Sequence, residues 1–354
     1  MSELSETHVG SGKVMTVRGP IAAADLGLTL MHEHILNDCR CWWNQPKEPE
    51  RAELGTRPVS IEILGELRMD PFVNLHNCTL DDEALAIAEL KPVAALGGRT
   101  VVDPTCGGIG RDPLALQRIS RASGLNIVMG GGFYLESSHP PEVAAMSAEA
   151  IADRIVSEAL EGVDGTDVRI GIIGEIGVSA EFTPAERKSL RGAALAQRRC
   201  GLPLMVHLPG WLRRAHEVLD IVEEAGADMR HTVLCHMNPS GEDTDYQFAL
   251  ARRGAFVEYD MIGMDFWYAD QGVQCPSDED NARAIKRLID AGFSDRVLMS
   301  QDVFLKMMLT RYGGFGYAYL QKHFFARLTR HGLPDEEIRR LMVDNPRRVF
   351  AASA

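Results

Sequence analysis

The chain has 354 residues, 37 Lys and Arg against 50 Asp and Glu, a net charge of −13 and an apolar fraction of 45%. That acidity disfavours a nucleic-acid partner, which needs a basic face, and no apolar run approaches the ~20 residues that span a bilayer. The polar stretch Met1 to Gly12 lacks the apolar core of a secretion signal, and seven cysteines without framework spacing suit a reducing cytoplasm.

Length alone predicts about two domains of ~150 residues, yet α/β barrels pass ~250 as one unit. Along the chain, short β-branched apolar runs alternate with longer helical patterns. The runs are Leu28–His32, Thr100–Asp103, Asn126–Gly130, Arg169–Glu175, Leu204–His207, Thr232–His236, Ala255–Asp260 and Arg296–Ser300. Eight of them without a break predict a single α/β domain over residues 1–354, a closed (β/α)8 TIM barrel. Asn37–Leu75, rich in Pro, Trp and charge, interrupts the alternation. It reads as an elaborated loop after the first strand, on the active-site face, with a plain surface insertion as the alternative. A helix is expected from Thr79–Asp82 to Gly97–Gly98. Another is expected from a Thr183, Pro184, Glu186 capping box to about Cys200, ended by Gly201.

The chemistry-bearing residues fall at the C-terminal ends of these runs, the edge on which a barrel mounts its active site. His32 and His34 close the first run. Residues two apart in a strand share a face, so both imidazoles reach one centre while Glu33 points elsewhere. Glu175, His207 and His236 end the fourth, fifth and sixth runs, and Asp302 follows the eighth. Glu175 to His207 is 32 residues and His207 to His236 is 29, each about one βα unit; His236 to Asp302 is 66, or two. Imidazole with carboxylate suits Zn2+, with Mn2+, Co2+ or Fe2+ as lesser options. Six ligands exceed what one catalytic zinc takes, so two divalent metal ions per chain are expected. His32, His34 and Asp302 hold one, His207 and His236 the other, and Glu175 bridges them. A hydroxide between two such ions attacks a carbonyl or phosphoryl centre, which makes the chain a hydrolase with Asp302 and Glu175 as its catalytic carboxylates.

At these residues the sequence resembles the phosphotriesterase family of the amidohydrolase superfamily. The motifs that carry the likeness are GKVMTVRG (Gly12–Gly19), TLMHEHIL (Thr29–Leu36), VVDPTCGGIGRD (Val101–Asp112), GGGFYLE (Gly130–Glu136), GIIGEIG (Gly171–Gly177), SQD (Ser300–Asp302) and DNPR (Asp344–Arg347). VEYDMIG (Val257–Gly263) and RYGGFGY (Arg311–Tyr317) are closer to the phosphotriesterase-related subgroup. The resemblance implies a (β/α)8 barrel, a binuclear centre, usually of zinc, and a homodimer. Two departures stand out. The organophosphate-degrading enzymes bridge their metals with a carboxylated lysine, whose place here is Gly174. Since strand neighbours face opposite sides, the backbone must shift or bulge for Glu175 to reach. The histidine that relays a proton in those enzymes is replaced by Met261, which counts against phosphotriester hydrolysis.

On the substrate side, Tyr134 resembles a tyrosine that lactonase-like relatives hold near the metal bridge. Trp42 and Trp43, with Phe266 and Trp267, form a candidate apolar rim, so Tyr134, Met261 and Trp267 are the candidate substrate contacts. Arg111 and Lys306 are candidates for holding an anionic group, and Cys235 is expected as a small core residue facing the helices. The expected substrate is a small molecule with an sp2 carbonyl: an N-acyl amide or amino-acid conjugate, a lactone or a carboxylic ester. A phosphotriester hydrolase is the alternative, and a non-catalytic ligand-binding barrel a third reading.

Overall fold

The computed structural model describes residues 12–351; the expectation about the polar start, up to Ser11, lies outside the described residues. Each of the eight runs carries a strand: β1 Leu28–Leu30, β2 Gly98–Asp103, β3 Asn126–Gly131, β4 Ile172–Gly177, β5 Leu204–His207, β6 Thr232–Leu234, β7 Phe256–Tyr259 and β8 Val297–Met299. They form one parallel sheet in chain order, each strand beside its successor. Main-chain bonds just past β1 and β8 draw the two edges together. The Asp302 N–H donates to the His32 carbonyl at 3.0 Å and the His34 N–H to the Val303 carbonyl at 3.2 Å. The His32 N–H donates to Ser300 Oγ at 3.0 Å. The result is a near-closed (β/α)8 barrel.

Period-2 alternation sorts the apolar strand residues into two layers. Val102, Val128, Ile172, Met205, Val233 and Phe256 belong to the cluster that fills the barrel. Their chain neighbours Val101, Ile127, Ile173, Val206, Leu234 and Val257 belong to the larger cluster shared with the helices. An antiparallel hairpin, Lys13–Thr16 with Gly19–Ala22, adds Val14 to the inner layer, and Phe350 near the other terminus joins it. That end is plugged, so the opposite rim is the open one.

The helices follow their local signals. Pro184–Cys200 starts with the expected capping box: Thr183 Oγ1 accepts the Glu186 N–H at 3.2 Å and Glu186 Oε2 accepts the Thr183 N–H at 3.1 Å. Gly201 ends it at φ +73°. Glu83–Ala95 is capped by Asp82, which accepts the Leu85 N–H at 3.0 Å. The stretch from Asn37 to Leu75 folds into short turns tied from within: Asn74 Nδ2 donates to the Leu54 and Arg57 carbonyls at 2.6 and 2.8 Å, and Asn77 Nδ2 donates to the Pro71 carbonyl at 2.8 Å. It delivers Trp42 and Phe72 to the open rim, among the cavity-lining residues. Among the described residues no helix is long and apolar enough to cross a membrane.

Candidate metal centre

Six side chains from five strand ends converge at the open rim. His32 Nε2 lies 3.6 Å from Glu175 Oε2 and 3.6 Å from Asp302 Oδ1. His34 Nε2 lies 3.3 Å from Glu175 Oε1 and 3.5 Å from Asp302 Oδ1. On the other side of the same carboxylate, His207 Nδ1 and His236 Nε2 stand 3.2 and 3.5 Å from Glu175 Oε2. Glu175 thus belongs both to a donor triplet with His32 and His34 and to one with His207 and His236; His32, His236 and Asp302 make a third.

Glu175 reaches this position through an irregularity in β4. The ladder to β5 passes from Ile173↔Leu204 to Ile176↔Val206, three residues against two, and Gly131 of β3 faces both Ile173 and Gly174. One extra residue is inserted where period-2 alternation had to be broken. Gly174 takes φ +129°, and a Cβ there would meet the Met205 carbonyl oxygen at 2.2 Å, so only glycine fits. The Gly174–Glu175 peptide bond is cis. His236 and Asp302 are also displaced from strand geometry, at φ +56° and +48°, a conformation that non-glycine residues keep mainly at functional sites.

Burial leaves the site electrostatically unbalanced. Neither ring nitrogen of His32 has a hydrogen-bond partner, nor does Asp302 Oδ1. Buried polar atoms are seldom unmatched, so donors aimed at a shared centre fit divalent cations. Burial pushes the Asp302 carboxyl up to about 7 against the pull of His32, His236 and His34. At Glu175 burial is outweighed by His32 and His207, which hold it well below the carboxylate range.

Beneath the ring lie two acids that the motif reading passed over. Asp260 accepts the His236 N–H at 3.0 and 2.9 Å and pairs with His236 Nδ1 at 3.1 Å. It also lies 3.4 Å from His32 Nδ1, where Glu258 Oε2 stands at 3.5 Å. His34 Nδ1 is held by Thr105 Oγ1 at 2.7 Å. Such partners fix the orientation of metal-facing imidazoles. Their signal was present in run seven: Glu258 and Asp260 sit two apart in an otherwise apolar strand and share its inner face with Phe256.

The substrate-side expectations separate. Tyr134 Oη accepts from Trp42 Nε1 at 3.0 Å and lies 3.3 Å from His207 Nδ1, and Met261 is in the wall of the same cavity. Trp267 does not line it. Its partner across an antiparallel pair is Gln274, and alternation there turns the next residue, Tyr268, inward instead. Trp43 is likewise turned away, its Nε1 donating to the Val73 carbonyl at 3.3 Å. Arg111 and Lys306 are committed inside the fold. Arg111 pairs with Glu158 at 3.0 Å and Asp164 at 3.2 Å, and Lys306 pairs with Asp81 at 2.9 Å and contacts Thr79. Cys235 faces into the barrel, not toward the helices, with Sγ 3.5 Å from Glu258 Oε2. That is where alternation from Val233 puts it, and the left-handed turn at His236 lets the next residue reach the site as well.

The mouth above the donors is a cavity of about 840 Å3. Trp42 stacks on Phe72 with ring centroids 5.3 Å apart, Phe72 meets Tyr268 at 5.3 Å, and Tyr268 meets Trp211 at 5.6 Å. These rings come from three loops, after β1, β5 and β7, and of them only Trp42 was singled out by the sequence.

The sequence pattern of the phosphotriesterase family matches residues 12–350. An N-acetyltaurine hydrolase of Danio rerio is 36% identical over 341 residues, covering 95% of this chain and 97% of that protein. The crystal structure of a resiniferatoxin-binding protein from Rhodobacter sphaeroides superposes with a TM-score of 0.96 at 68% identity, over 99% of this chain and 98% of that one. A lactonase from Listeria monocytogenes gives 0.79 at 25% identity, over 97% and 100%. The chain belongs to the phosphotriesterase family and is a phosphotriesterase-like hydrolase.

Proposed function

We propose that the protein is a binuclear-metal-dependent hydrolase of carbonyl substrates: an N-acyl amide or amino-acid conjugate, a lactone or a carboxylic ester. The observation that carries this reading is Glu175, one carboxylate shared between two pairs of histidines at the barrel mouth. His32, His34 and Asp302 would hold one ion, His207 and His236 the other, with zinc the best chemical match to this nitrogen and oxygen set. Two divalent cations there supply an ionised water near neutral pH and polarise the oxygen under attack.

The chain's own groups do the rest. Asp302, at the rim with Oδ1 unpartnered, takes the attacking water's proton and delivers it to the leaving atom. That delivery is required for an amide, because an unprotonated amide nitrogen is a poor leaving group. Tyr134, whose hydroxyl already accepts from Trp42, keeps its own proton free to donate to the substrate oxygen. Met261 puts an apolar wall where a proton relay would stand, which favours carbonyl over phosphotriester chemistry. The names of two relatives, an N-acetyltaurine hydrolase and a lactonase, support the same preference.

Metal analysis of the purified protein, followed by a panel of N-acyl amides, lactones and an aryl phosphotriester, tests this. Close to two transition-metal ions per chain and fastest turnover on a carbonyl compound are expected. A metal-free folded protein, or rapid turnover of the phosphotriester alone, would overturn it.

A further inference from the structure

We propose that the cavity selects an apolar acyl compound with no negative charge on its outer part, and turns away carboxylates and sulfonates; this rests on the hydrolase reading above and narrows its substrates to neutral amides, lactones and esters, leaving out amino-acid conjugates. Among the described residues the cavity wall contains neither Lys nor Arg. Beyond the metal-facing ring its charged members are Glu136, Glu181 and Glu186. Glu186 is spent on the helix cap and on the Ser179 N–H and hydroxyl at 3.0 and 2.8 Å. Glu136 and Glu181 are exposed at the lip.

The arginines that adjoin wall residues along the chain are directed elsewhere, Arg40 onto Asp38 with Nε at 2.7 Å. Arg214 donates to the Ala180 carbonyl at 2.8 Å and pairs with Glu217 at 3.2 Å. Arg187 pairs with Glu217 at 2.7 Å and donates to the Phe182 carbonyl at 3.0 Å. Arg213 pairs with Asp243 at 2.9 Å. An anionic substituent entering the chamber would therefore lose its water and find aromatic faces in place of a cation, which is costly. Two uncompensated carboxylates at the lip add like-charge repulsion on approach. The indole N–H groups offer no substitute: Trp42 Nε1 donates to Tyr134 and Trp211 Nε1 to the Gln274 carbonyl at 3.2 Å. Apart from the neutral side chains of Asn37, Ser137 and Gln271, what remains is the ring surface of Trp42, Phe72, Tyr268 and Trp211, suited to an aromatic or long aliphatic body.

A matched pair of ligands tests this. N-acetylphenethylamine and N-acetylphenylalanine differ by one carboxylate, and N-acetyltaurine serves as a small sulfonate. Binding is read from quenching of tryptophan fluorescence in the metal-loaded protein, so the preference is measured whether or not a compound is cleaved; kcat/KM is measured in parallel. The neutral amide is expected to bind at least about tenfold more tightly than either anion. Replacing both lip acids, Glu136→Lys with Glu181→Lys, should narrow the gap several-fold, and so should raised salt. Tighter binding of either anion, or binding of none of the three, overturns the proposal. A neutral preference in binding without turnover of any carbonyl compound removes the hydrolase reading and leaves this one standing.

Discussion

Asp260→Asn keeps the side-chain volume at a fully buried position and exchanges one acceptor oxygen and the charge for an NH2 group. In the native protein the carboxylate takes the His236 N–H at 3.0 and 2.9 Å and holds His236 Nδ1 at 3.1 Å, with His32 Nδ1 at 3.4 Å. An amide keeps one acceptor, so the backbone N–H and the imidazole N–H compete for it and the new NH2 faces a donor. A hydrogen bond to a charged group contributes about 1.5–3 kcal/mol. Loss of the partner behind a metal-bound histidine typically costs about 10–100-fold in affinity, which is about 1.4–2.8 kcal/mol at ~1.4 kcal/mol per decade. The two routes agree. Zinc titration against a competing chelator should show the weaker of two sites loosened by that factor. The kcat/KM for an N-acyl amide should fall at limiting zinc and largely recover at saturating zinc. Glu258→Gln, at a carboxylate that meets His32 Nδ1 at 3.5 Å but makes no bond to His236, should do less. Zinc affinity within twofold of the parent, in an Asp260→Asn protein with an unchanged thermal melt, would refute the positioning argument.

Tyr134→Phe should lower kcat/KM by about 100-fold or more through the lost donor to the substrate oxygen and leave metal content unchanged; loss of metal instead would mean that Tyr134 supports His207 structurally. Arg111→Ala strands Glu158, whose side chain is 6% exposed, and should cost about 3 kcal/mol in denaturant unfolding. That lies at the low end of the range for a broken buried pair, because Arg154 still reaches Glu158 at 3.3 Å; Arg111→Met with Glu158→Met should recover most of it. Burial, then Lys306, lowers the His76 pKa below 6.5, and His76 Nδ1 accepts the Val59 N–H at 3.0 Å, which requires that nitrogen unprotonated. The unfolded chain binds more protons there, so this contribution is complete above pH 6.5 and is lost as the pH falls below it. His76→Gln should flatten the decline in denaturant midpoint across that window, and an unaltered slope would assign the effect to other groups.

The barrel was legible in the sequence because its signals are local. Eight short β-branched apolar runs, each set off by a longer helical pattern, name the strands, and Thr183 with Glu186 names a helix start within four residues. The convergence of the proposed metal-facing set was legible for the same reason: His32, His34, His207, His236, Glu175 and Asp302 sit at strand ends, and one βα unit is a nearly constant length of chain. Even the need for a bulge before Glu175 followed from alternation. What supplies it is a contact across strands, Gly174 against the Met205 carbonyl oxygen.

Tertiary structure decided everything carried by side chains whose partners lie far away in sequence. Arg111 meets Glu158 and Asp164, and Lys306 meets Asp81 across a separation of 225 residues, which removed two candidate anion holders. Cys235 follows Val233 into the barrel by alternation, His236 joins it through a left-handed backbone, and Tyr268 displaced Trp267 because a two-residue pairing set the register. The aromatic chamber, its acidic lip and its wall without Lys or Arg among the described residues exist only once the loops after β1, β3, β4, β5 and β7 meet above the barrel. A period of 2 or 3.6 residues reports on neighbours along one element. The orientation of loop side chains is set by packing against other elements, and only the folded chain contains that information.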